Sequence, residues 1–355
     1  MPDLWRIIND EQNKSPRAYA LRALARVAAL GYGLGTACEQ FSYDMGWRRV
    51  SKAPLPVISV GNLTVGGTGK TPLVIKVVET LQQMGLRAAV VSRGHGRHSK
   101  EAALWVSRGR GPLIDVRQAG DEPYLLARRL PVPILVGRER AKLIDMLYRE
   151  MGPHVVVGDD MFQHRRLYRD LDIVALDARQ PLANGFVLPR GPLRELKSAL
   201  RRAQAIVLTR AGDDDTSTRA WLRSFWGSGP VLSCCHHISG LQDLEGKDVS
   251  PSRGRRVLAF CGLANPAAFR QSLQASGLQV AGMQAFEDHH WFTVSDLAEI
   301  EAAAVKLKAD VLVTSEKDAV RLPENWQPSL PVWSTRLDLR FKENLLPALL
   351  TWGIS

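Results

Sequence analysis

The stretch Gly61-Asn-Leu-Thr-Val-Gly-Gly-Thr-Gly-Lys-Thr71 carries the densest chemistry of the chain. A short β-branched run, Pro56-Val-Ile-Ser-Val60, precedes it, and a helical stretch from about Pro72 to Met84 follows. Strand, glycine-rich turn and helix N-terminus together make a phosphate site, because unpaired amide N–H groups and the helix dipole meet an anion there. Gly66, Gly67 and Gly69, with Thr68 among them, let those amides approach phosphate oxygens with no Cβ in the way. Lys70 can then reach the β- and γ-phosphates, and the Thr71 hydroxyl is placed to bind Mg²⁺. The usual spacing of such loops puts Gly where this chain has Thr64, so the loop is atypical.

Val155-Val-Val-Gly-Asp-Asp160 is a hydrophobic run ending in two carboxylates, Asp159 and Asp160. Downstream of a phosphate loop, that arrangement holds a carboxylate near the Mg²⁺ shell; a solvated turn is the alternative. Gln163 and His164 add an amide and an imidazole at the same edge. Asp121, in Gly120-Asp-Glu-Pro123, opens a helix and is either an ordinary cap or a carboxylate aimed into a cleft. Glu287-Asp-His-His290 offers an acid/base imidazole at near-neutral pH, or a capping Asp with surface histidines. Neighbouring residues diverge in direction, which argues against His289 and His290 sharing one metal. The same objection meets Cys234-Cys-His-His237, since structural zinc uses spaced pairs of ligands. In Thr314-Ser-Glu-Lys-Asp318 the Lys and Asp are adjacent, so the guanine-recognition pattern NKxD fails in register.

The elements that must position these groups are legible as apolar runs alternating with helical segments. Arg87–Val91, Pro133–Val136, His154–Val157, Leu171–Leu176 and Ala205–Leu208 are the runs. Such alternation predicts a mainly parallel sheet with helices on both faces, a P-loop NTPase-like α/β fold that binds ligands at the carboxyl ends of its strands. A composition shift around 211–255 precedes a fresh series of strands and helices. Three regions are therefore expected: a basic amphipathic segment over 1–50, a P-loop core over 51–235, and a smaller α/β domain over 236–355.

The chain has 355 residues, with 47 Lys and Arg against 36 Asp and Glu, a formal charge of +11. Such a balance favours phosphate-bearing partners. No clustered aromatic–basic motif supports nucleic acid, and no apolar run approaches the roughly 18–20 residues needed to span a bilayer. From Tyr19 to Leu30 apolar residues recur at helical spacing, with Arg22 and Arg26 on another face. This is either a helix lying in a membrane interface or one packed on the core with a solvated basic face. The four cysteines form no CxxC pair, which fits reduced thiols in the cytoplasm.

Taken in order, Asn62–Pro72, Gly120–Pro123, Asp159-Asp160 with Phe162-Gln-His164, Leu188–Glu195, Asp288-His-His290 and Thr314–Asp318 resemble the tetraacyldisaccharide 4′-kinases of lipid A biosynthesis. The resemblance covers roughly residues 50–320 and includes Thr64, since that family's loop also reads NLTVGGTGKT. Met161 and His95 depart from the family, which has a small residue and Tyr there. The resemblance implies transfer of the ATP γ-phosphate to the 4′-hydroxyl of a lipid A disaccharide precursor. It also implies an enzyme on the cytoplasmic face of the inner membrane, with no obligate protein partner and no nucleic acid. It places the loop groups on Lys70 and Thr71, the Mg²⁺-associated carboxylates on Asp159 and Asp160, and an Asp–His pair on Asp121 and His289. Lipid-headgroup contacts fall on Asn184, Arg194 and Glu195, with Gln163 and His164 near the nucleotide and hydroxyl. The rival reading is a nucleotide-hydrolysing switch or metallochaperone with Cys234–His237 as cargo site.

Overall fold

A computed structural model describes residues 2–354 apart from 11, 228, 251–253 and 345. From the N-terminus come α1 (Pro2–Asn9), α2 (Pro16–Asp44), β1 (Val57–Asn62), α3 (Lys70–Gln83), β2 (Ala88–Ser92) and β3 (Ala103–Arg108). Next are α4 (Val116–Ala119), α5 (Asp121–Arg129), β4 (Pro133–Gly137), α6 (Arg140–Met151), β5 (Val155–Asp159) and β6 (Leu171–Asp177). A 3₁₀ helix, Lys197–Arg202, leads to β7 (Ala205–Thr209), α7 (Thr216–Trp226), β8 (Val231–Gln242) and β9 (Asp248–Val249). The remainder is β10 (Arg256–Cys261), α8 (Pro266–Ala275), β11 (Gln279–Ala285), α9 (Val294–Lys306), β12 (Val311–Ser315), α10 (Glu316–Ala319), β13 (Val332–Phe341) and α11 (Leu346–Ile354).

The chain divides into two compact units, one of residues 1–93, 137–235 and 341–355, the other of 94–136 and 236–340. In the first, parallel strands run in the order β8–β7–β6–β1–β5–β2. Val57, Ile58 and Val60 of β1 are wholly buried, as a central strand covered on both faces requires. In the second unit β11–β10–β12–β13 are parallel, with cores built around Phe269, Leu273 and Trp333 and around Phe260, Phe292 and Ile300. The α/β architecture is thus as expected, but two boundaries differ from a linear division at 235. Residues 94–136 join the second unit, and α11 returns to the first, where Leu346, Leu349 and Leu350 are buried and the helix packs on α3, β1 and β6.

Helix α2 is longer than its apolar pattern suggested. Ser15 caps it by accepting from the Ala18 amide, and Pro16 stands at its first position. Ala18, Arg22, Ala25, Ala29 and Gly33 form its buried face. Arg22, expected on an exposed basic face, is therefore buried; its guanidinium donates to the carbonyls of Asn13 and Asp10. Leu24, Val27, Leu30 and Leu34 stand 68–74% exposed on the opposite side. No described helix is long and apolar enough to cross a membrane.

Candidate active site

In the first unit, β1 feeds the glycine loop directly into α3. Gly66 and Gly69 have φ of 102° and 82°, the left-handed region that a side chain resists, and Gly69 stands immediately before the helix. Asn62 braces the turn from beneath: its amide donates to the Thr64 carbonyl at 2.6 Å and the Thr68 hydroxyl at 2.8 Å. Its carbonyl accepts from Lys70 Nζ at 3.1 Å. Two residues that sequence reasoning missed hold the loop's own carbonyls. The Thr209 hydroxyl donates to Thr68 O at 2.8 Å, and Arg210 donates to Gly67 O at 2.8 Å while pairing with Asp177 at 2.7 Å. Both stand at the carboxyl end of β7, the place where polar residues matter in a parallel sheet. The Thr68 amide is taken by the Gly66 carbonyl at 3.1 Å, so an anion would be met by the other amides of the turn.

Asp159 ends β5, 2% exposed, and accepts from the Ser92 hydroxyl at 2.9 Å. Asp160 follows in a left-handed conformation with φ of 51°, uncommon for a residue with a side chain. Lys70 approaches its carboxylate at 3.1 Å and Arg194 at 2.8 Å. Burial alone would raise the Asp160 pKa; Lys70 and Arg194 outweigh it and hold the group below the ordinary range. Gln163 donates to the Asn62 carbonyl at 2.9 Å and lies 3.5 Å from Arg194. Lys70, Asp160, Gln163 and Arg194 are therefore one cluster, with Arg194 on the carboxylate that the loop lysine also holds. Two carboxylates and the Thr71 hydroxyl are hard oxygen donors of the kind Mg²⁺ takes alongside phosphate oxygens.

His164 lies among cations. Burial first, then Arg140, Arg169, Arg166 and Arg93, push its pKa from 6.5 down to about 4, so the imidazole is neutral at physiological pH. The unfolded chain then binds more protons than the folded one between pH 6.5 and about 4. Stability contributed by this group is complete above pH 6.5 and is lost as pH falls through that window. The variant His164→Gln is expected to show a shallower fall in unfolding midpoint from pH 6.5 to 4 than the parent. Thermal melts across that range measure it.

Asn184 and Glu195 lie apart from the Lys70 cluster's hydrogen bonds. Asn184 donates to Arg190 O at 3.2 Å and Asn9 Oδ1 at 3.3 Å. Glu195, 7% exposed, accepts from Gln40 of α2 at 3.0 Å and from Arg202 at 2.7 Å. Tyr32 of α2 donates to the Arg194 carbonyl at 2.9 Å. This loop is thus tied to the N-terminal helix whose far side is apolar and exposed.

In the second unit, Asp121 is the first residue of α5 and 8% exposed. Its carboxylate lies 2.7 Å from His289 Nδ1, joining groups 168 residues apart. Burial pushes the Asp121 pKa up, but the His289 hydrogen bond and the charges of His289, Lys317 and Arg321 prevail and bring it to about 2. His289 itself has a left-handed φ of 63°, strain of the sort that gathers at functional positions. His290 is occupied otherwise: its Nε2 lies 2.9 Å from Asp296, and its ring stacks on Phe286. Of the two histidines, His289 forms the pair. Lys317 Nζ stands 3.1 Å from His289 Nε2, a partner that sequence reasoning passed over. Cys234 is buried, and burial pushes its thiol up to about 12. Among the described residues no group of three His, Cys, Asp or Glu is arranged to hold a metal ion.

Residues 21–353 match the family model described as tetraacyldisaccharide-1-P 4′-kinase, LpxK. The chain belongs to the tetraacyldisaccharide 4′-kinase family. A tetraacyldisaccharide 4′-kinase of Syntrophus aciditrophicus is 38% identical over 96% of this chain and 93% of its own length. One from Anaeromyxobacter dehalogenans is 45% identical over 79% of this chain and 76% of its own. Among solved structures, an "apo" form of LpxK from Aquifex aeolicus in complex with ATP matches with a TM-score of 0.77 at 30% identity, over 94% of this chain and 100% of that one. Membership of the tetraacyldisaccharide 4′-kinase family makes the chain a kinase, and it sets aside the switch or metallochaperone reading.

Proposed function

We propose that this chain transfers the γ-phosphate of ATP to the 4′-hydroxyl of a tetraacylated disaccharide 1-phosphate, the lipid A precursor. The observation that carries the reading is Lys70, set on a braced glycine loop at a helix N-terminus with its ammonium on Asp160. The loop amides and Lys70 hold the phosphate tail, with Arg194 adding a second positive charge beside Asp160. Thr71, Asp159 and Asp160 would hold Mg²⁺, whose charge, when bound, offsets that of the phosphates. Asp121 fixes the His289 ring through Nδ1 and supports the positive charge that ring acquires. His289 takes the hydroxyl proton on Nε2 as the sugar oxygen bonds to the γ-phosphorus. The bond from that phosphorus to the β-phosphate bridging oxygen breaks, and ADP leaves with the electron pair. Phosphoryl transfer asks mainly for alignment and charge compensation, so the loop matters more than the base.

The test is incubation with γ-labelled ATP, Mg²⁺ and micellar disaccharide 1-phosphate, followed by separation of the lipids. Label in the disaccharide is the expected result; free labelled phosphate with unlabelled lipid would refute the reading.

Acyl chains leave a bilayer at a cost of roughly 0.8 kcal/mol per CH₂, so the enzyme must reach the surface where its acceptor lies. The exposed face of α2, Leu24, Val27, Leu30 and Leu34, supplies apolar contact on the cytoplasmic leaflet of the inner membrane, and the charge of +11 supplies attraction to anionic lipid. Replacing both Leu24 and Leu30 by Glu is expected to weaken flotation with anionic liposomes by about tenfold or more. Transfer to a detergent-dispersed acceptor should persist.

A further inference from the structure

Lys317 touches the acid–base pair yet belongs to neither of its members. Its ammonium lies 3.1 Å from His289 Nε2 and 3.5 Å from Glu122 Oε1. A lysine ammonium has hydrogens to give and no lone pair to receive. Nε2 must therefore be the acceptor, which leaves the ring proton on Nδ1, where Asp121 accepts it at 2.7 Å. That is the tautomer a general base needs, with an open lone pair on one nitrogen and a carboxylate holding the other.

The backbone beneath Lys317 is fastened to that of His289. Asp318, the next residue along α10, is fully buried, accepts from the Gly262 amide at 2.9 Å and pairs with Arg321 at 2.7 Å. The Gly262 carbonyl accepts from the His289 amide at 3.2 Å and from Arg321 at 3.3 Å. A Cβ on Gly262 would stand 2.8 Å from the Glu287 carbonyl, so only glycine permits this approach. Arg321 Nε also donates to the Lys317 carbonyl at 3.1 Å. One buried frame thus sets both the imidazole and the ammonium that faces it.

We propose that Lys317 is a positioning residue of the transfer reaction: its ammonium, facing His289 Nε2 from α10, holds the ring in the base-competent tautomer and discourages its premature protonation. The acceptor hydroxyl takes the place of the ammonium at Nε2, and Lys317 remains nearby on Glu122. This deepens the proposed function and rests on His289 acting as the base. The charged groups around the ring are Asp121 and Glu122 on α5, Lys317 and Arg321 at and after α10, and the neighbouring Asp288; His290 turns to Asp296 instead.

The experiment compares Lys317→Met, Lys317→Arg and His289→Asn with the parent enzyme. For each, kcat/KM toward micellar acceptor is measured from acid to alkaline pH, together with KM for ATP and the thermal midpoint. Without the cation, a protonated ring is less disfavoured, so the acid limb of the Lys317→Met profile should move up by about one pH unit. Turnover near pH 7 should fall by at most about tenfold, with KM for ATP unchanged. Lys317→Arg should return the limb to its parent position. An unmoved limb in Lys317→Met, with His289→Asn inactive, overturns the proposal while leaving the base in place. A fully active His289→Asn would instead refute the base. Should Lys317→Met fail to fold, Lys317→Gln takes its place, and an unmoved limb there overturns the proposal equally.

Discussion

Lys70→Ala is expected to lower kcat for phosphate transfer by roughly a thousandfold or more, with little change in KM for the lipid acceptor. The ammonium is held between the Asn62 amide carbonyl and Asp160, at the end of the glycine turn. Turned onto the phosphates, that charge offsets the negative charge that shifts onto the leaving group. Removing it also leaves Asp160 with Arg194 as its remaining ion-pair partner, so the carboxylate should draw closer to the guanidinium. Lys70→Arg should recover little, because the longer fork cannot sit where Asn62 and Asp160 converge on one nitrogen. Single-turnover rates at saturating ATP distinguish this loss from a mere loss of binding. A kcat within tenfold of the parent would contradict the assignment.

The second large effect is expected at the acid–base pair. Asp121→Asn should reduce kcat by roughly two to four orders of magnitude. The amide can still face Nδ1, but it no longer supports the charge that develops on the ring. Against burial, the His289 hydrogen bond and the charges of Lys317 and Arg321 hold the Asp121 pKa low, which favours an ionised carboxylate beside the ring. His289→Ala should be damaging too, yet less so than Lys70→Ala, because a water can relay the proton whereas nothing replaces the loop charge. If purified variants rank in the opposite order by turnover, the balance drawn between alignment and base catalysis is wrong.

What the amino-acid order made legible was whatever is local. Strand, glycine turn and helix follow one another between residues 56 and 84, so the framework of the proposed phosphate loop could be read from the order alone. Asp159 and Asp160 stood out for the same reason, at the end of an apolar run. The Asp121–His289 pair spans 168 residues, and spacing could not separate a helix cap from a catalytic carboxylate. Only the resemblance to a family linked them. Arg22 was misplaced because helical periodicity marks a face but does not say which faces are covered; small residues at 18, 25, 29 and 33 made the buried side. Lys317 was passed over since its stretch was compared with a nucleotide motif whose register it fails. Its importance lies in a neighbour on another element. Thr209 and Arg210 were findable in principle, standing just beyond a strand's carboxyl end like the other site residues.

The central claim is that the glycine turn ending at Lys70 grips the triphosphate. Its most direct test is a crystal structure with a non-hydrolysable ATP analogue and Mg²⁺. Phosphate oxygens should lie within hydrogen-bond reach of the amides from Gly66 to Thr71, with Lys70 turned from Asp160 toward them. An analogue bound elsewhere, with Lys70 still on Asp160, would contradict it.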